Sequence, residues 1–417
     1  MTDVLDVDDL AALYRDLHAH PELAFAEHRT AGIVAARLRD LGYQVTTGVG
    51  GTGVVGVLPN GSGPAVLLRA DMDALPVQEQ TGLDYASAAR ATDADGRDVP
   101  VMHACGHDMH VTCLLGAAAE LAAARDEWHG TLLLVFQPAE ETGEGAQAML
   151  DDGLYQRFPV PGIVLGQHVM PLPAGVFGMH GGPAMAGADA LRVVLHGQGG
   201  HGSRPETTVD PVLLAAATVL RLQGIVAREL TPGETAVLTV GALHAGTAAN
   251  IIPDQAELLL SLRSFDDKVR DKALAAVERI IRGEALASGA PRDPEITTTV
   301  AFPVLVNDPA GSAKLTEVFN AGPGLTLDPG PVTGSEDVGL LATAAGVPCV
   351  YWFFGGADPA RFTGVTTVAE ARSIVDTLPS NHSPLFAPVV EPTIRAGVSA
   401  LATAARTWLA PDSGSTA

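Results

Sequence analysis

The sequence predicts an α/β fold: a mostly parallel sheet covered on both faces, interrupted by a smaller α+β domain of ferredoxin-like order. Three observations carry this. A chain of 417 residues exceeds what one hydrophobic core usually serves, so two domains are expected. Up to Leu165, short apolar runs bounded by turn residues alternate with stretches of helical periodicity. From about Ala188 that alternation gives way to the order β-α-β-β-α-β, the split βαβ arrangement.

Taken in order, Leu10, Leu13, Tyr14 and Leu17 recur at helical spacing, and the period resumes over 31–41. Apolar runs at 54–58, 65–69, 132–136 and 163–165 predict buried strands. Between them, 111–124 is apolar nearly all round and predicts a buried helix. Strands alternating with helices favour a parallel sheet. The smaller domain predicts strands at 191–195, 236–240, 257–262 and 296–301, with helices at 211–229 and 267–286. Gly181-Gly182-Pro183 and Pro303 mark its boundaries, giving an insert at 187–301 within a discontinuous domain of 1–186 and 302–417. The closing segment predicts a strand at 347–354 and a helix at 389–408.

Composition narrows the function classes. A hydrophobic content of 47% with 18% charged residues describes a globular chain, and only the tail near Ser413 reads as low complexity. Forty-eight acids against 25 bases leave a net charge of −23, which argues against nucleic acid or an anionic membrane as partner. Most of those acids read as a solubilising surface. The acidic opening MTDVLDVDDL lacks the basic region and apolar run of a signal peptide. No run approaches the roughly 18 uninterrupted apolar residues of a membrane helix. The three cysteines, Cys105, Cys113 and Cys349, form no disulfide framework and suit a reducing compartment. A soluble, cytoplasmic protein is expected.

Residue types that bind metals gather just beyond the predicted strands. The strand at 65–69 is followed by Asp71-Met72-Asp73, and the buried helix is preceded by His103-Ala104-Cys105-Gly106-His107-Asp108. The next strand delivers Glu140-Glu141, the one after it His168, and Asn381-His382-Ser383-Pro384 precedes the last helix. In open parallel sheets, ligands bind beyond the carboxyl ends of the strands, so distant loops can converge there. One Cys or His alone is more often structural. Thiolate, imidazole and carboxylate together suit zinc or a neighbouring divalent ion. Two adjacent carboxylates after an apolar strand are costly without a cation, and can divide the work of ligand and base.

Together with His20-Pro21-Glu22-Leu23, Gly199-Gly200-His201-Gly202, Asn250-Ile251-Ile252-Pro253 and Gly334-Ser335-Glu336-Asp337, these segments resemble the aminoacylase and carboxypeptidase-like metallopeptidase family. They are most similar to its amidohydrolase subfamily of hippurate hydrolases, N-acyl-amino-acid deacylases and plant indoleacetyl-amino-acid hydrolases. The resemblance runs nearly the whole chain. It implies two divalent ions per subunit (Zn, Mn, Co or Ni), held by Cys105, His107, Glu141, His168 and His382. Glu140 would be the general acid/base. Many relatives carry a ligand in a His-x-Asp motif; here the stretch is Asp71-Met72-Asp73. Asp71, Asp73 and Asp108 would then orient the ligands from behind.

The insert would be a lid or dimerisation domain, and the protein a homodimer or higher oligomer. His201 would stabilise the oxyanion; Asn250 and Arg263 are candidates for binding substrate. His18 and His20 read as structural, His103 and His110 as partners behind the ligands, and Cys113 and Cys349 as core. The implied substrate is a small N-acyl or N-aroyl amino acid. A dipeptide, an acylated diaminopimelate, or a non-catalytic metal-binding role are the alternatives.

Overall fold

The computed structural model describes residues 6–409. The first residues of the acidic opening and the tail near Ser413 lie outside the described residues. The chain divides into two compact units, one taking the chain up to Ala184, Val306–Gly330 and everything from Asp337, the other Met185–Leu305 and Pro331–Glu336.

The larger unit is built on eight strands in the order Gln44–Val49, Gly53–Asn60, Gly130–Gln137, Ala65–Asp71, Ile163–Pro173, Cys349–Ala357, Val176–Gly178 and Leu325–Leu327. The four from Gly130–Gln137 to Cys349–Ala357 run parallel. Val66, Leu67 and Leu68 are all fully buried, a continuous apolar run that only a sheet covered on both faces can hide. The helix His107–Ala123 supplies much of the cover, with Met109, Val111, Cys113, Leu114 and Leu121 buried around its circumference. It packs against the helices Val7–Ala19 and Val390–Leu409. Asp6 caps the first of these by accepting from Asp9 N–H, and Leu10, Leu13, Tyr14 and Leu17 form its buried stripe.

One strand is much longer than its apolar run. Sequence marks an end at Leu165, where Gly166-Gln167-His168 turns polar, yet the strand continues to Pro173. Gln167 is buried because its side chain is used twice, accepting from Trp352 Nε1–H at 3.1 Å and donating to Gly397 O at 3.2 Å. Its parallel neighbour Cys349–Ala357 is in register with it, pairing Phe353 with His168. Polar character here reports the site, not the end of the strand.

The smaller unit has four antiparallel strands in the order Ala236–Ala245, Gln255–Ser264, Gly187–His196 and Glu295–Phe302, the ferredoxin-like arrangement. Leu191, Val193 and Leu195 share one face and join a cluster with residues of the helices Pro211–Leu222 and Asp267–Ala287. Asp210 accepts from Val212 and Leu213 N–H, with Pro211 at the first helical position. The sequence predicts one helix over 211–229; it breaks at Gln223 and resumes as Gly224–Arg228. The stretch Pro211–Arg228 has the length and mean hydropathy, 1.4, of a membrane span. The break, and the burial of Leu214, Ala215, Thr218 and Leu222, make it the cover of this sheet. Pro331–Glu336, which the sequence assigns to the larger domain, joins this unit through bonds from Ala186 N–H to Val332 O and Gly334 O at 3.1 and 2.9 Å.

Candidate metal and catalytic site

The parallel register sets the site. Asp71 pairs with Gln137, and Arg69 with both Val135 and Gly166, so two strands end level beside the third, which carries on through His168, and the residues there converge. His107 opens its helix after Gly106, which has a φ of 83°. An added Cβ there would lie 2.4 Å from Val169 Cγ1, so only glycine lets the chain pass between Cys105 and His107 this close to the neighbouring strand.

Six side chains come together. Cys105 Sγ lies 3.4 Å from His168 Nε2, and His382 Nε2 lies 3.3 Å from Glu141 Oε2. His107 Nε2 lies 3.8 Å from Glu141 Oε1 and 3.9 Å from Glu140 Oε2. Cys105, His107 and His168 form one compact donor group; Cys105, Glu141 and His382 form another; His107, Glu140 and Glu141 a third. His107 Nε2 and Glu141 Oε1 are buried and lack any hydrogen-bond partner. Buried polar atoms left facing one another without a hydrogen bond are costly unless a proton or a metal cation stands between them.

The ring tautomers agree. Asp73 Oδ1 lies 3.3 Å from His107 Nδ1, and Val169 O lies 2.8 Å from His168 Nδ1. Each Nδ1 therefore carries its proton and each Nε2 presents a lone pair to the cluster. Asp73 also accepts from Glu141 N–H at 3.0 Å, so one carboxylate orients a histidine and the backbone of a glutamate. His110 is different: it bonds Asp71 through Nδ1 and accepts from Val169 N–H at Nε2, leaving no nitrogen for a cation. Asp108 points away from the cluster to His18, at 2.7 Å. His103 is buried, and neither of its ring nitrogens has a hydrogen-bond partner.

Charge pleads for a cation as well. Burial, then Glu141, Glu140 and Asp71, push the Cys105 thiol well above its usual range. Burial works against a charged His107, but Asp71 and Asp73 outweigh it and raise the imidazole to about 10. Burial likewise works to raise Glu141, and His382 and His107 hold it below its usual value. Without metal, the cluster keeps protons where a divalent ion belongs, so metal entry must release them. The residues present fit such an ion.

Several supports have roles that the motifs alone do not assign. Arg69 is buried and donates to Gln137 Oε1 at 3.0 Å, to Asp71, and to Asp337 Oδ1 at 3.1 Å. Asp337 also accepts from Gln137 Nε2 and Ala146 N–H at 2.7 and 3.0 Å. The available signal is an arginine inside an otherwise apolar strand, since a buried charge needs a partner. Asn381 Nδ2 donates to Cys105 O and Val169 O at 3.2 and 3.1 Å, fastening the His382 loop to two other ligand segments.

His201, Asn250 and Arg263 belong to the smaller unit. His201 pairs with Ile251, and Asn250 O accepts from Gly202 N–H at 2.9 Å. Ser203 N–H donates to His201 Nδ1 at 3.1 Å, which puts the ring proton on Nε2. Arg263 donates to Thr333 O at 2.6 Å and to Ser335 Oγ at 3.1 Å, holding the 331–336 segment.

Residues 67–376 match the model of peptidase family M20/M25/M40. The chain is 39% identical to a hippurate hydrolase of Campylobacter jejuni over 357 residues, covering 84% of this chain and 89% of that one. It is 38% identical to thermostable carboxypeptidase 2 of Saccharolobus solfataricus over 359 residues, covering 85% and 87%. A crystal structure from Bacillus subtilis, described as a dinuclear metal-binding peptidase of the M20 family, superposes with a TM-score of 0.75 at 28% identity, covering 97% and 98%. The chain belongs to peptidase family M20/M25/M40. It is a hydrolase that acts on amide bonds.

Proposed function

We propose that this enzyme cleaves the amide bond of N-acyl or N-aroyl amino acids, releasing a carboxylic acid and a free amino acid. The observation that carries this reading is a five-donor cluster with a further carboxylate beside it, Glu140 Oε2 lying 3.9 Å from His107 Nε2. Cys105, His107, Glu141, His168 and His382 hold the metal. Cys105 belongs to two donor groups, one with His107 and His168 and one with Glu141 and His382, which favours two ions over one. Divalent cations there supply Lewis acidity, lowering the pKa of water and polarising the acyl carbonyl. The sulfur ligand favours zinc, while Mn, Co and Ni suit the remaining donors.

Glu140 takes the proton from the attacking water and returns it to the amine nitrogen, which is otherwise a poor leaving group. His201 donates its Nε2–H to the developing oxyanion. Asn250 and Arg263 receive the amino-acid portion of the substrate, and Asp71 and Asp73 keep the ligands oriented; Asp108, turned to His18, has no part in this. The enzyme works as a cytoplasmic homodimer or higher oligomer. Its three cysteines are free and buried, in keeping with a reducing compartment. A dipeptide or an acylated diaminopimelate suits the same cluster, and the carboxypeptidase among the relatives keeps peptides as the second reading.

The test combines elemental analysis with a panel of N-acetyl and N-benzoyl amino acids, dipeptides and acylated diaminopimelate. Glu140→Gln is expected to keep its metal and lose about 10²–10⁴-fold in kcat. If metal-loaded wild type hydrolyses nothing on the panel faster than Glu140→Gln, the reading fails. Turnover confined to dipeptides selects the second one.

A further inference from the structure

The turn that presents Glu140 is strained. Ala139, immediately before it, has a φ of 49°, a left-handed conformation that a residue with a Cβ adopts only when its surroundings impose it. Its N–H donates to Glu27 Oε1 at 2.9 Å. The same oxygen accepts from Phe25 N–H at 3.0 Å, and the other oxygen accepts the Thr52 hydroxyl. Ala139 O is held in turn by Gly145 N–H at 3.1 Å and Thr142 Oγ1 at 3.2 Å. A Cβ on Gly145 would lie 1.7 Å from Pro138 O, so the turn is closed tightly on that side.

Glu27 is fully buried and stands at the N-cap of the helix His28–Asp40 without capping it. Glu22 does that work, accepting from Arg29 and Thr30 N–H at 2.8 Å each. A carboxylate released from the local task its position offers, and buried against a distant turn, has another use. Asp73 already fixes the backbone of Glu141. We infer that Glu27 is the positioning residue for Glu140: its carboxylate imposes the left-handed turn at Ala139 and so aims the neighbouring carboxylate at the reacting water. This rests on Glu140 being the general acid/base. Burial pushes the Glu27 carboxyl up, against the opposing pull of Thr52, so a neutral amide of the same shape is a fair replacement.

The test uses metal-loaded enzyme and its best substrate from the panel. Glu27→Ala is expected to lower kcat about 30- to 100-fold, with KM and metal content near wild type. Glu27→Gln still accepts from Ala139 and can donate to Thr52, and recovers kcat to within about fivefold of wild type. Glu27→Ala added to Glu140→Gln should slow it no further, because both act through one group. If Glu140→Gln keeps wild-type kcat, the reading of Glu140 fails. If Glu140→Gln is inactive but Glu27→Ala runs at wild-type speed, or loses activity in proportion to lost metal, the positioning role alone is overturned. Fully additive losses in the double variant overturn it too. Should Glu27→Ala not fold, Glu27→Asp, one methylene shorter, decides: reduced kcat at unchanged metal content and KM is expected, and wild-type kcat overturns the inference.

Discussion

His18 is fully buried and bonds a carboxylate at each ring nitrogen, Asp108 at 2.7 Å and Glu79 at 3.1 Å. Burial works to depress its basicity, but Asp108 and Glu79 outweigh this and raise it to about 10. The nearby Tyr14 and Tyr85 hydroxyls are themselves raised and stay neutral at physiological pH. A histidine whose folded pKa exceeds its unfolded value binds its proton more tightly when folded. Its stabilisation is therefore full below about 6.5 and is lost as pH rises through about 10. Removing it leaves two buried carboxylates without their cation, so His18→Ala should cost about 3–5 kcal/mol near neutrality. Denaturant titrations of both proteins from pH 6 to 10 check this; a gap between them that does not narrow with pH would sink it. The donor types of the cluster were legible only in combination, as Cys105, His107 and the Glu140-Glu141 pair gather beyond strand ends and are expensive in a core unless they bind something; which of them would hold metal came from the family resemblance. Glu27 and Glu79 were not legible, and Asp337 stood in a quoted motif without its partners Arg69 and Gln137 being evident. A carboxylate that accepts backbone N–H groups is indistinguishable in sequence from a surface acid, and this chain has 48 acids to choose among.

The loop before the helix His107–Ala123, which carries the proposed ligand Cys105, depends on backbone conformation as much as on donors. Gly106 has a φ of 83° and sits against Val169, and the next ligand strand runs through Val169 from His168. Gly106→Ala pays the left-handed penalty, roughly 1–2 kcal/mol, and must also push back the strand that carries His168. Metal affinity is expected to fall about 10–100-fold, measured by competition with a chromophoric chelator. Wild-type affinity in a folded Gly106→Ala protein would show that the loop tolerates the shift and that glycine serves only the turn. At this scale the sequence is read best where period and burial coincide. The alternating strands of the smaller unit and the apolar runs of the larger one are both of this kind. It is read worst where function overrides pattern, as in Ile163–Pro173, whose buried polar residues mimic a strand end. The break at Gln223 has no such functional excuse, because Gly224 simply offers a weak point in an apolar helix.

At the scale of the whole molecule, the smaller unit carries apolar surface that nothing covers among the described residues. Leu213 and Leu220 of the helix Pro211–Leu222 are 69% and 76% exposed. The edge strand Ala236–Ala245 pairs on one side only and exposes Val237 and Leu243. Unpaired edges and leucine-bearing helix faces invite association, and a second copy of the same unit carries both features, as a two-fold interface requires. The opposing influence is charge: each copy carries −23, so two copies repel over distances that salt shortens. An apolar interface resisted by like charge should strengthen as salt rises, the reverse of one built on ion pairs. Light scattering across about 0.05–0.5 M salt is therefore expected to show a dimer whose dissociation is suppressed by salt. Leu213→Asp with Leu220→Asp should weaken association by roughly 10²-fold or more, since two carboxylates would be buried without partners. A wild-type monomer at all salt concentrations, or a double variant that remains dimeric, would remove this face as the interface.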